Sequence, residues 1–376
     1  VLETPAARIA AGYERLKTTE PALFAALETA ASSIRRFALA QKDRFVDFDF
    51  ETAPGLIAGQ RVAPVGRAGV YVPAGRFPLV SSALMGIIPA KAAGVGEVVL
   101  ASPPQEDGFP DWRILAAARL AGADRVFAIG GAQAIAALAL GTETVPQADV
   151  VVGPGNRYVS AAKRLLFGEA GIDFAAGPTD VLIIADSSGD PDLIAADMLA
   201  QAEHDTDARA RALVPNHATA SAVRERLAAR VRGAAAPATA SLAAGGLLIV
   251  YDTAEEAIAI ADAIAPEHLE LHVTNPEDWE GRLKNYGSLF IGEQAGEVLG
   301  DYSAGINHTL PTGGSARFTG GLSVRHFLKA RTVLRCAGGA GQDAALEAAE
   351  VIARAEGLTA HAESAKLRRA RGAGTL

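Results

Sequence analysis

The chain contains 376 residues, of which 49% are apolar and 21% are charged, and its formal net charge is -8. This length is too great for one simple core and predicts two or more lobes. The negative charge disfavours a nucleic-acid partner, because phosphate binding needs a positive surface. The single cysteine, Cys336, excludes an intrachain disulfide and a cysteine-based zinc site, so His, Asp, Glu or Gln would have to hold any metal.

The first residues show no basic region followed by an apolar core, so no signal peptide is predicted. No apolar stretch approaches transmembrane length without interruption. These two features predict a cytoplasmic protein without a membrane partner.

Apolar periodicity predicts the elements in chain order. Residues 3 to about 42 are predicted to be helical, and glycines then punctuate short extended runs between 61 and 71. Beyond them, β-branched strands alternate with alanine-rich helices. The predicted strands cover residues 98–101, 125–129, 150–152, 180–186, 211–214, 247–251, 269–273 and 288–291. The predicted helices cover residues 112–121, 131–140, 157–167, 191–203, 219–232 and 253–264.

This alternation with short glycine turns is typical of βαβ units around a buried parallel sheet. It predicts an α/β fold with two Rossmann-like lobes, each on a parallel-type sheet, plus helical N- and C-terminal extensions. The seam between the lobes is predicted near Gly177-Pro178. Residues 243–246 and the Ala- and Pro-rich stretch before them are predicted to be a connection. The run before Cys336 is predicted to be a strand, and residues from Gln342 onward a helix broken at Gly357.

The segment from Asp301 to Lys329 combines an acid, a histidine and many glycines, and Gly and Pro interrupt it too often for one helix or strand. Polar, turn-rich segments of this kind often carry function, because a rigid scaffold holds them while their side chains meet a ligand. A plain surface loop explains this segment alone about equally well. Histidines elsewhere in motif-like settings shift the interpretation towards a functional site.

Gln201 and His204 lie three residues apart in a predicted helix and therefore share one face. Histidine is a common zinc ligand, whereas glutamine is an unusual one. The pair alone is therefore explained better as polar residues that satisfy the end of a helix than as a metal site. Together with Asp301 and His361, however, they could supply nitrogen and oxygen ligands to one zinc ion if the fold brings all four together.

Glu267 and His268 stand side by side at a predicted helix–strand junction. Such a pair suits general acid–base work, because a carboxylate can tune the pKa of a neighbouring histidine. Two ordinary polar residues at a turn explain this pair alone slightly better. A further turn, from Gly153 to Tyr158, joins a strand to a helix and could approach a phosphate, although it is not the GxGxxG fingerprint.

Taken together, these segments resemble the histidinol dehydrogenase family. The matching blocks follow the family's order and rough spacing along nearly the whole chain, so they are far more specific together than singly. The blocks are GVYVPAG at 69–75, GGAQAIAAL at 130–138, GPGNRYVSAAKR at 153–164, AGPTDVLIIAD at 176–186, LAQAEHD at 199–205, APEHLEL at 265–271, the segment 301–329, and EGLTAHAESAKLR at 356–368.

The resemblance implies a role for each matching position. Zinc ligands, which also meet the substrate, are implied at Gln201, His204, Asp301 and His361, and the catalytic acid–base pair at Glu267 and His268. Further substrate contacts are implied at Thr179, His308 and Glu356, and NAD contacts at Tyr71, Gln133 and Asn156. The implied lobes are residues 1–70 with 181–322, and 71–180, which contacts NAD. Residues 323–376 would complete the partner's site in an intertwined homodimer.

The implied reaction oxidises L-histidinol to L-histidine through L-histidinal, with two NAD. His268 would take the proton of the alcohol as hydride leaves, and Glu267 would activate the water that hydrates the aldehyde. Zinc would fix the orientation of the substrate's imidazole and amine, while the hydride chemistry belongs to NAD.

Thr179-Asp180 stands where the family usually has Ser-Glu, and part of the family's N-terminal region is expected to be missing. Three alternatives follow. The same scaffold could act on a non-imidazole alcohol such as a sulfonated propanediol. A metal- or ligand-binding protein without catalysis is a second reading, which the Glu267-His268 pair disfavours. A zinc hydrolase is a third, which four protein ligands disfavour because they leave little room for an activated water.

Overall fold

The computed structural model describes residues 2–74, 77–175 and 177–372. Gly75 and Ala176, at the ends of two of the matching blocks, lie outside these ranges. The helices are α1 (Ala6–Thr19), α2 (Pro21–Lys42), α3 (Val80–Ala93), α4 (Trp112–Ala121), α5 (Gly131–Leu140), α6 (Arg157–Leu166), α7 (Pro191–Glu203), α8 (His217–Val231), α9 (Ala236–Gly245), α10 (Ala254–Ile264), α11 (Glu277–Glu280), α12 (Glu297–Tyr302), α13 (Ala340–Ala355) and α14 (Thr359–Gly372).

The strands are β1 (Phe48–Ala53), β2 (Leu56–Pro64), β3 (Arg67–Tyr71), β4 (Glu97–Ser102), β5 (Arg125–Ala128), β6 (Val150–Val152), β7 (Gly171–Ile172), β8 (Asp180–Ala185), β9 (Arg209–Val214), β10 (Leu247–Val250), β11 (His268–His272), β12 (Ser288–Ile291) and β13 (Leu328–Cys336). Short 3-10 helices cover Ser315–Arg317 and Val324–Phe327. No helix in the described ranges is long and apolar enough to cross a membrane.

The chain divides into two compact units. The first unit comprises Val1–Lys42 and Val65–Phe327, and the second comprises Asp43–Pro64 and Leu328–Leu376. Both parallel sheets belong to the first unit. The lobe boundaries that the resemblance implies, at residues 70, 180 and 322, stay a prediction.

The described part of the first unit forms two parallel sheets of five strands each. Their orders are β5-β4-β3-β6-β7 and β10-β9-β8-β11-β12. In both sheets the chain therefore runs outward from a central strand, returns to the other side of that strand and runs outward again. This order is that of the doubly wound Rossmann type, in which the chain reverses beside the central strand. The predicted α/β fold with two Rossmann-like sheets is confirmed.

The second sheet is buried on both faces. Leu182 and Ile184 of β8 face one apolar cluster, while Val181 and Ile183 face the other. Because side chains alternate along a strand, a strand covered on both faces consists of an unbroken apolar run. This explains why DVLIIA could be predicted as a strand from its composition.

One predicted connection is wrong. The Ala- and Pro-rich stretch forms helix α9, with Pro237 in its first turn. Proline is tolerated there because the first N–H groups of a helix have no intrahelical acceptor. The Ala- and Pro-rich composition suggested a connection, but the position of Pro237 makes it compatible with a helix start.

The second unit contains a separate three-stranded sheet of order β1-β2-β13, in which both pairs are antiparallel. Cys336 ends β13 and is exposed, which confirms the strand predicted there. Helices α13 and α14 pack together, and the break predicted at Gly357 lies between them. Arg369 pairs with Glu347 and Glu350 across these two helices.

Candidate active site

A pocket in the first unit lies between opposite edges of the two sheets. The loop after β6, including Gly153 and Gly155, contributes from the carboxyl edge of the first sheet. Thr179 and His268 contribute from the amino edge of the second sheet, where β8 and β11 begin. Ligands of doubly wound sheets usually bind at the carboxyl edge beside the central strand. The first sheet follows this rule, whereas the second presents its opposite edge.

Parallel pairing brings Thr179 and Glu267 together. The strands that follow these residues are neighbours, with His268 opposite Val181. The hydroxyl of Thr179 hydrogen-bonds the Glu267 carboxylate, which also accepts from the backbone N–H of Asp180 at 3.2 Å. The Asp180 carboxylate in turn accepts from the Glu267 N–H at 3.3 Å. This reciprocal clamp fixes Glu267 without a flexible loop.

Asp180 is buried beneath the pocket, where Arg211 approaches its carboxylate at 3.5 Å. Thr179 lines the pocket, but Asp180 is not among the residues that do. Of the two positions that depart from the family's Ser-Glu, only Thr179 can therefore meet a ligand in this pocket.

The end of α7 supplies Gln201 and His204. Gln201 is fully buried, and its Nε2 donates to Thr179 Oγ1 at 2.7 Å, which leaves the Thr179 hydroxyl proton for Glu267. The Gln201 amide oxygen then lies 2.9 Å from a Glu297 carboxylate oxygen, so two acceptors face each other there. His204 is about half exposed, and its Nε2 lies 3.7 Å from Asp301 Oδ2. Gln201 thus lies beside the Glu297 carboxylate, and His204 lies beside the Asp301 carboxylate.

Glu297 and Asp301 lie one turn apart on the short helix α12, and both are buried. Burial raises the pKa of Glu297 well above its usual value, although the charge of His268 opposes this. Burial also acts against ionisation of Asp301, but the close contact and charge of His268 outweigh it and lower the pKa of that carboxyl. His204, Glu297 and Asp301 each offer a ligand atom, and these three atoms lie within 4.8 Å of one another. The sequence reasoning missed Glu297, which no motif marked.

His268 is buried between these carboxylates. Its Nδ1 lies 3.5 Å from Glu297 Oε2 and its Nε2 lies 3.6 Å from Asp301 Oδ1. Neither ring nitrogen has a hydrogen-bond partner among the described residues. Burial lowers the pKa of His268, but the charges of Glu267 and Glu297 and the contact with Asp301 raise it to about 10. Burial raises the pKa of Glu267 to about 7.

His308 adds a neutral imidazole to the pocket. Its Nδ1 lies 2.9 Å from the carbonyl oxygen of Asp301, which can only accept, so Nδ1 carries the proton and Nε2 is left as an acceptor. Nε2 lies 3.3 Å from Ser82 Oγ. Burial lowers the pKa of His308, which agrees with this neutral form. Asn307 anchors the segment by donating to the Met85 carbonyl at 2.8 Å.

The three predicted NAD contacts lie at the carboxyl edge of the first sheet. Tyr71 ends β3, and its hydroxyl accepts from the Gly131 N–H at 3.1 Å. Gln133 is exposed in the first turn of α5. Asn156 is the N-cap of α6, accepting from the N–H groups of residues 158 and 159. Gln133 and Asn156 thus lie at helix starts, which favour anionic ligands, and Tyr71 contacts the start of α5. The contact of these residues with NAD stays a prediction.

A buried ion pair supports the glycine turn beside them. Lys163 and Asp173 pair directly, Lys163 donates to the Gly153 carbonyl at 3.0 Å, and Asp173 accepts from the Gly153 N–H at 2.8 Å. Gly153 has a φ of 120°, and a Cβ there would lie 2.1 Å from the Tyr71 carbonyl oxygen. Only glycine fits this turn, and the ion pair, which the sequence reasoning did not single out, fixes its orientation.

The remaining two predicted site residues lie in the second unit. Glu356 ends α13 and His361 lies in the first turn of α14. Both side chains are exposed. Their implied roles in substrate and zinc binding stay predictions.

Comparison with known proteins shows which family this chain belongs to. The histidinol dehydrogenase family model matches residues 2–369. Histidinol dehydrogenase of Thermus thermophilus is 49% identical over 346 residues, which are 92% of this chain and 82% of that protein. A histidinol dehydrogenase homolog of Ruegeria pomeroyi is 47% identical over 343 residues, or 90% of this chain and 79% of that protein.

The crystal structure of histidinol dehydrogenase from Elizabethkingia anophelis superposes with a TM-score of 0.93 at 34% identity, covering 100% of this chain and 86% of that one. An NAD-dependent aldehyde dehydrogenase from Sinorhizobium meliloti shares only the fold, with a TM-score of 0.55 at 17% identity over 89% of this chain and 81% of that one. The matches over almost the full length show that the chain is an oxidoreductase belonging to the histidinol dehydrogenase family.

Proposed function

We propose that the chain oxidises L-histidinol to L-histidine through L-histidinal in the cytoplasm, with zinc bound at the pocket and NAD as hydride acceptor. The observation that carries this proposal is the setting of His268. It is a buried imidazole without hydrogen-bond partners among the described residues, beside Glu267 and 3.6 Å from the Asp301 carboxylate. Membership of the family supports the same reaction.

Each oxidation step removes a hydride from carbon and a proton from oxygen. In the first step His268 accepts the hydroxyl proton while the hydride leaves to NAD, which gives the aldehyde. Glu267 then takes a proton from water as the water adds to the aldehyde carbon, and His268 returns its proton to the former carbonyl oxygen, which gives a hydrate. His268, neutral again, then accepts a hydroxyl proton of the hydrate while a second hydride leaves to a second NAD, which gives the carboxylic acid. Both groups are buried, so they exchange protons with the substrate rather than with bulk water.

The donor set of the pocket fits a zinc ion. Gln201, His204 and Asp301 would hold it, and Glu297 is a further carboxylate within reach of the same position. Nitrogen and oxygen donors of this kind are ordinary zinc ligands, apart from the unusual glutamine. When bound, zinc supplies orientation of the substrate and neutralises negative charge. His308 Nε2, left as an acceptor, faces the same pocket and can receive a hydrogen bond from the substrate.

The reaction is tested by following NADH formation from L-histidinol by zinc-loaded protein, with and without a chelator. We expect NADH formation that the chelator abolishes and zinc restores. Absence of turnover with L-histidinol would refute the substrate assignment.

A second candidate is the oxidation of another small alcohol, such as a sulfonated propanediol. The specific observation is Thr179, which lines the pocket and carries one methyl group more than the serine that the family usually has. The same assay with this alcohol in place of L-histidinol separates the two. A larger kcat/KM for the sulfonated alcohol would favour the second candidate, and Thr179→Ser would then be expected to shift preference towards L-histidinol.

Replacing Asp301 by alanine is expected to weaken zinc binding by at least about 100-fold, because even residues that only orient metal ligands contribute about 10–100-fold. The measurement is the zinc content of dialysed protein together with competition against a chromophoric chelator. Asp278→Ala, which removes an exposed carboxylate on α11, is the control. Retention of full zinc affinity in Asp301→Ala would remove Asp301 from the ligand set.

We further propose an intertwined homodimer in which Glu356 and His361 of one chain complete the site of the other. Co-expression of His268→Ala with His361→Ala tests this sharing. In a mixed dimer, one site would combine an intact His268 from one chain with an intact His361 from the other, so activity should return although each variant alone is inactive. If His361 served its own chain, every site in the mixture would lack one residue and no activity would return.

A further inference from the structure

A second buried cluster of ligand-type side chains lies on strand β11. Alternate residues of a strand point to the same face, so His268, Glu270 and His272 share one side. His268 belongs to the pocket, whereas Glu270 and His272 meet Asp197 from α7. Each of these three offers one nitrogen or oxygen atom, and the atoms all lie within 4.8 Å of one another. The cluster contains none of the residues that line the pocket.

Two of the three side chains are buried with unsatisfied polar atoms. The His272 side chain is fully buried, and neither of its ring nitrogens has a hydrogen-bond partner in the described part of the chain. The same holds for Glu270 Oε2. Buried polar atoms without partners are costly, typically about 1–3 kcal/mol each, and a bound ion or water is a common explanation.

The spacing of the two unsatisfied groups matches a metal site. His272 Nε2 lies 3.4 Å from Glu270 Oε2, and the two atoms form no hydrogen bond. Zinc bonds to nitrogen and oxygen measure about 2.0–2.2 Å, and a tetrahedral arrangement therefore separates two donors by roughly 3.4 Å. Asp197 is partly exposed, so its carboxylate can adjust and leave a route for an ion.

The charges of the cluster also favour a cation. Burial and the charge of Glu270 raise the pKa of Asp197 to about 7. Burial lowers the pKa of His272, but contact with Glu270 and the charges of Asp197 and Glu293 raise it overall. Two carboxylates and an imidazole in this arrangement are held together best by a positive charge between them.

We infer that Asp197, Glu270 and His272 form a second metal site, which binds a divalent transition-metal ion such as zinc. The site is independent of the one proposed at Asp301. It is nevertheless linked to the pocket, because the other oxygen of Glu270, Oε1, accepts from the Glu297 N–H at 2.6 Å. That N–H begins α12, the helix that carries Asp301 at its far end. An ion on Glu270 would therefore fix the start of α12.

The test is the zinc stoichiometry of the full chain after loading and dialysis, measured in wild type, His272→Gln, Asp301→Ala and the double variant. We expect two equivalents per chain in the wild type, one in each single variant and none in the double variant. Because His272 is buried, Asp197→Asn serves as a second variant that removes one partly exposed ligand, and far-ultraviolet circular dichroism confirms that each variant is folded.

Wild-type protein that binds one equivalent, lost in Asp301→Ala and unchanged in Asp197→Asn and His272→Gln, would overturn the second site. The cluster would then hold a shared proton instead of a metal. If Asp301→Ala keeps both equivalents while Asp197→Asn loses one, the second site stands and the proposed catalytic zinc site fails. The two failures are thus distinguishable in one series.

Discussion

His268→Gln is expected to lower the rate of NAD-linked alcohol oxidation by about 10²–10⁴-fold, the usual contribution of a positioned general base. Glutamine keeps a polar side chain of similar length but cannot accept the hydroxyl proton. Because His268 is not among the proposed zinc ligands, the zinc content should stay near that of the wild type. The measurement is kcat with L-histidinol, together with zinc content.

His217→Gln is the matched control, since His217 is an exposed histidine at the start of α8. Unchanged turnover in His268→Gln would exclude His268 as the base. Loss of zinc together with activity would instead indicate that His268 holds the metal site together. The Glu267→Gln variant adds a further distinction, because it should spare the first hydride transfer and slow the step that needs water.

The carboxylates around His268 explain how this imidazole is tuned. The charges of Glu267 and Glu297 and the contact with Asp301 together raise its pKa to about 10, against the effect of burial. With all of these charges present the imidazole keeps its proton. The cation proposed at Asp301 would neutralise one of these charges and lower the pKa of the imidazole, so that His268 would be neutral and able to accept a proton. The proposed metal binding would therefore be coupled to the pKa of His268 through the Asp301 carboxylate, which lies 3.6 Å from Nε2.

Most of the parallel-sheet architecture could be predicted, because local signals coincide with the packing. Helix α4 is an example: Asp111 caps its start by accepting from the Arg113 N–H, and Gly122 ends it with a φ of 95°. Both residues have marked preferences for these positions. Helix α3 was not identified, and it is apolar on nearly every face, so it lacks the periodicity that marks a half-buried helix.

The chemistry of the site could be predicted only in part. Glu267 and His268 were found as adjacent acid and base, but their clamp to Thr179 depends on the pairing of β8 with β11, which no local pattern specifies. Glu297 carries no motif and lies on a six-residue helix, too short to give a periodic signal. The pocket lies at the carboxyl edge of one sheet and the amino edge of the other, and this arrangement likewise depends on tertiary packing that no local pattern specifies. The family resemblance implies a role for each site residue, whereas the contacts between these residues are seen only in the structure.

Lys163→Met is expected to lower the free energy of unfolding by about 3–5 kcal/mol, because it leaves the buried carboxylate of Asp173 without its partner. Denaturant unfolding of wild type and variant measures this loss. Lys163→Met combined with Asp173→Asn is the matched control. Asparagine is neutral, and its single amide oxygen can replace one of the two carboxylate oxygens that accept from the Gly153 and Phe174 N–H groups, so the double variant should recover part of the lost stability.

The same substitution should also affect the pocket, because Lys163 and Asp173 hold the Gly153 turn from both sides. If NAD binds there as proposed, Lys163→Met should raise the KM for NAD more than it lowers kcat, since the groups that transfer protons lie on the second sheet. The double variant should keep the raised KM while regaining stability, because it restores neutrality without restoring the bond to the Gly153 carbonyl. A stability change of less than about 1 kcal/mol, the range of an exposed pair, would contradict the buried ion pair itself.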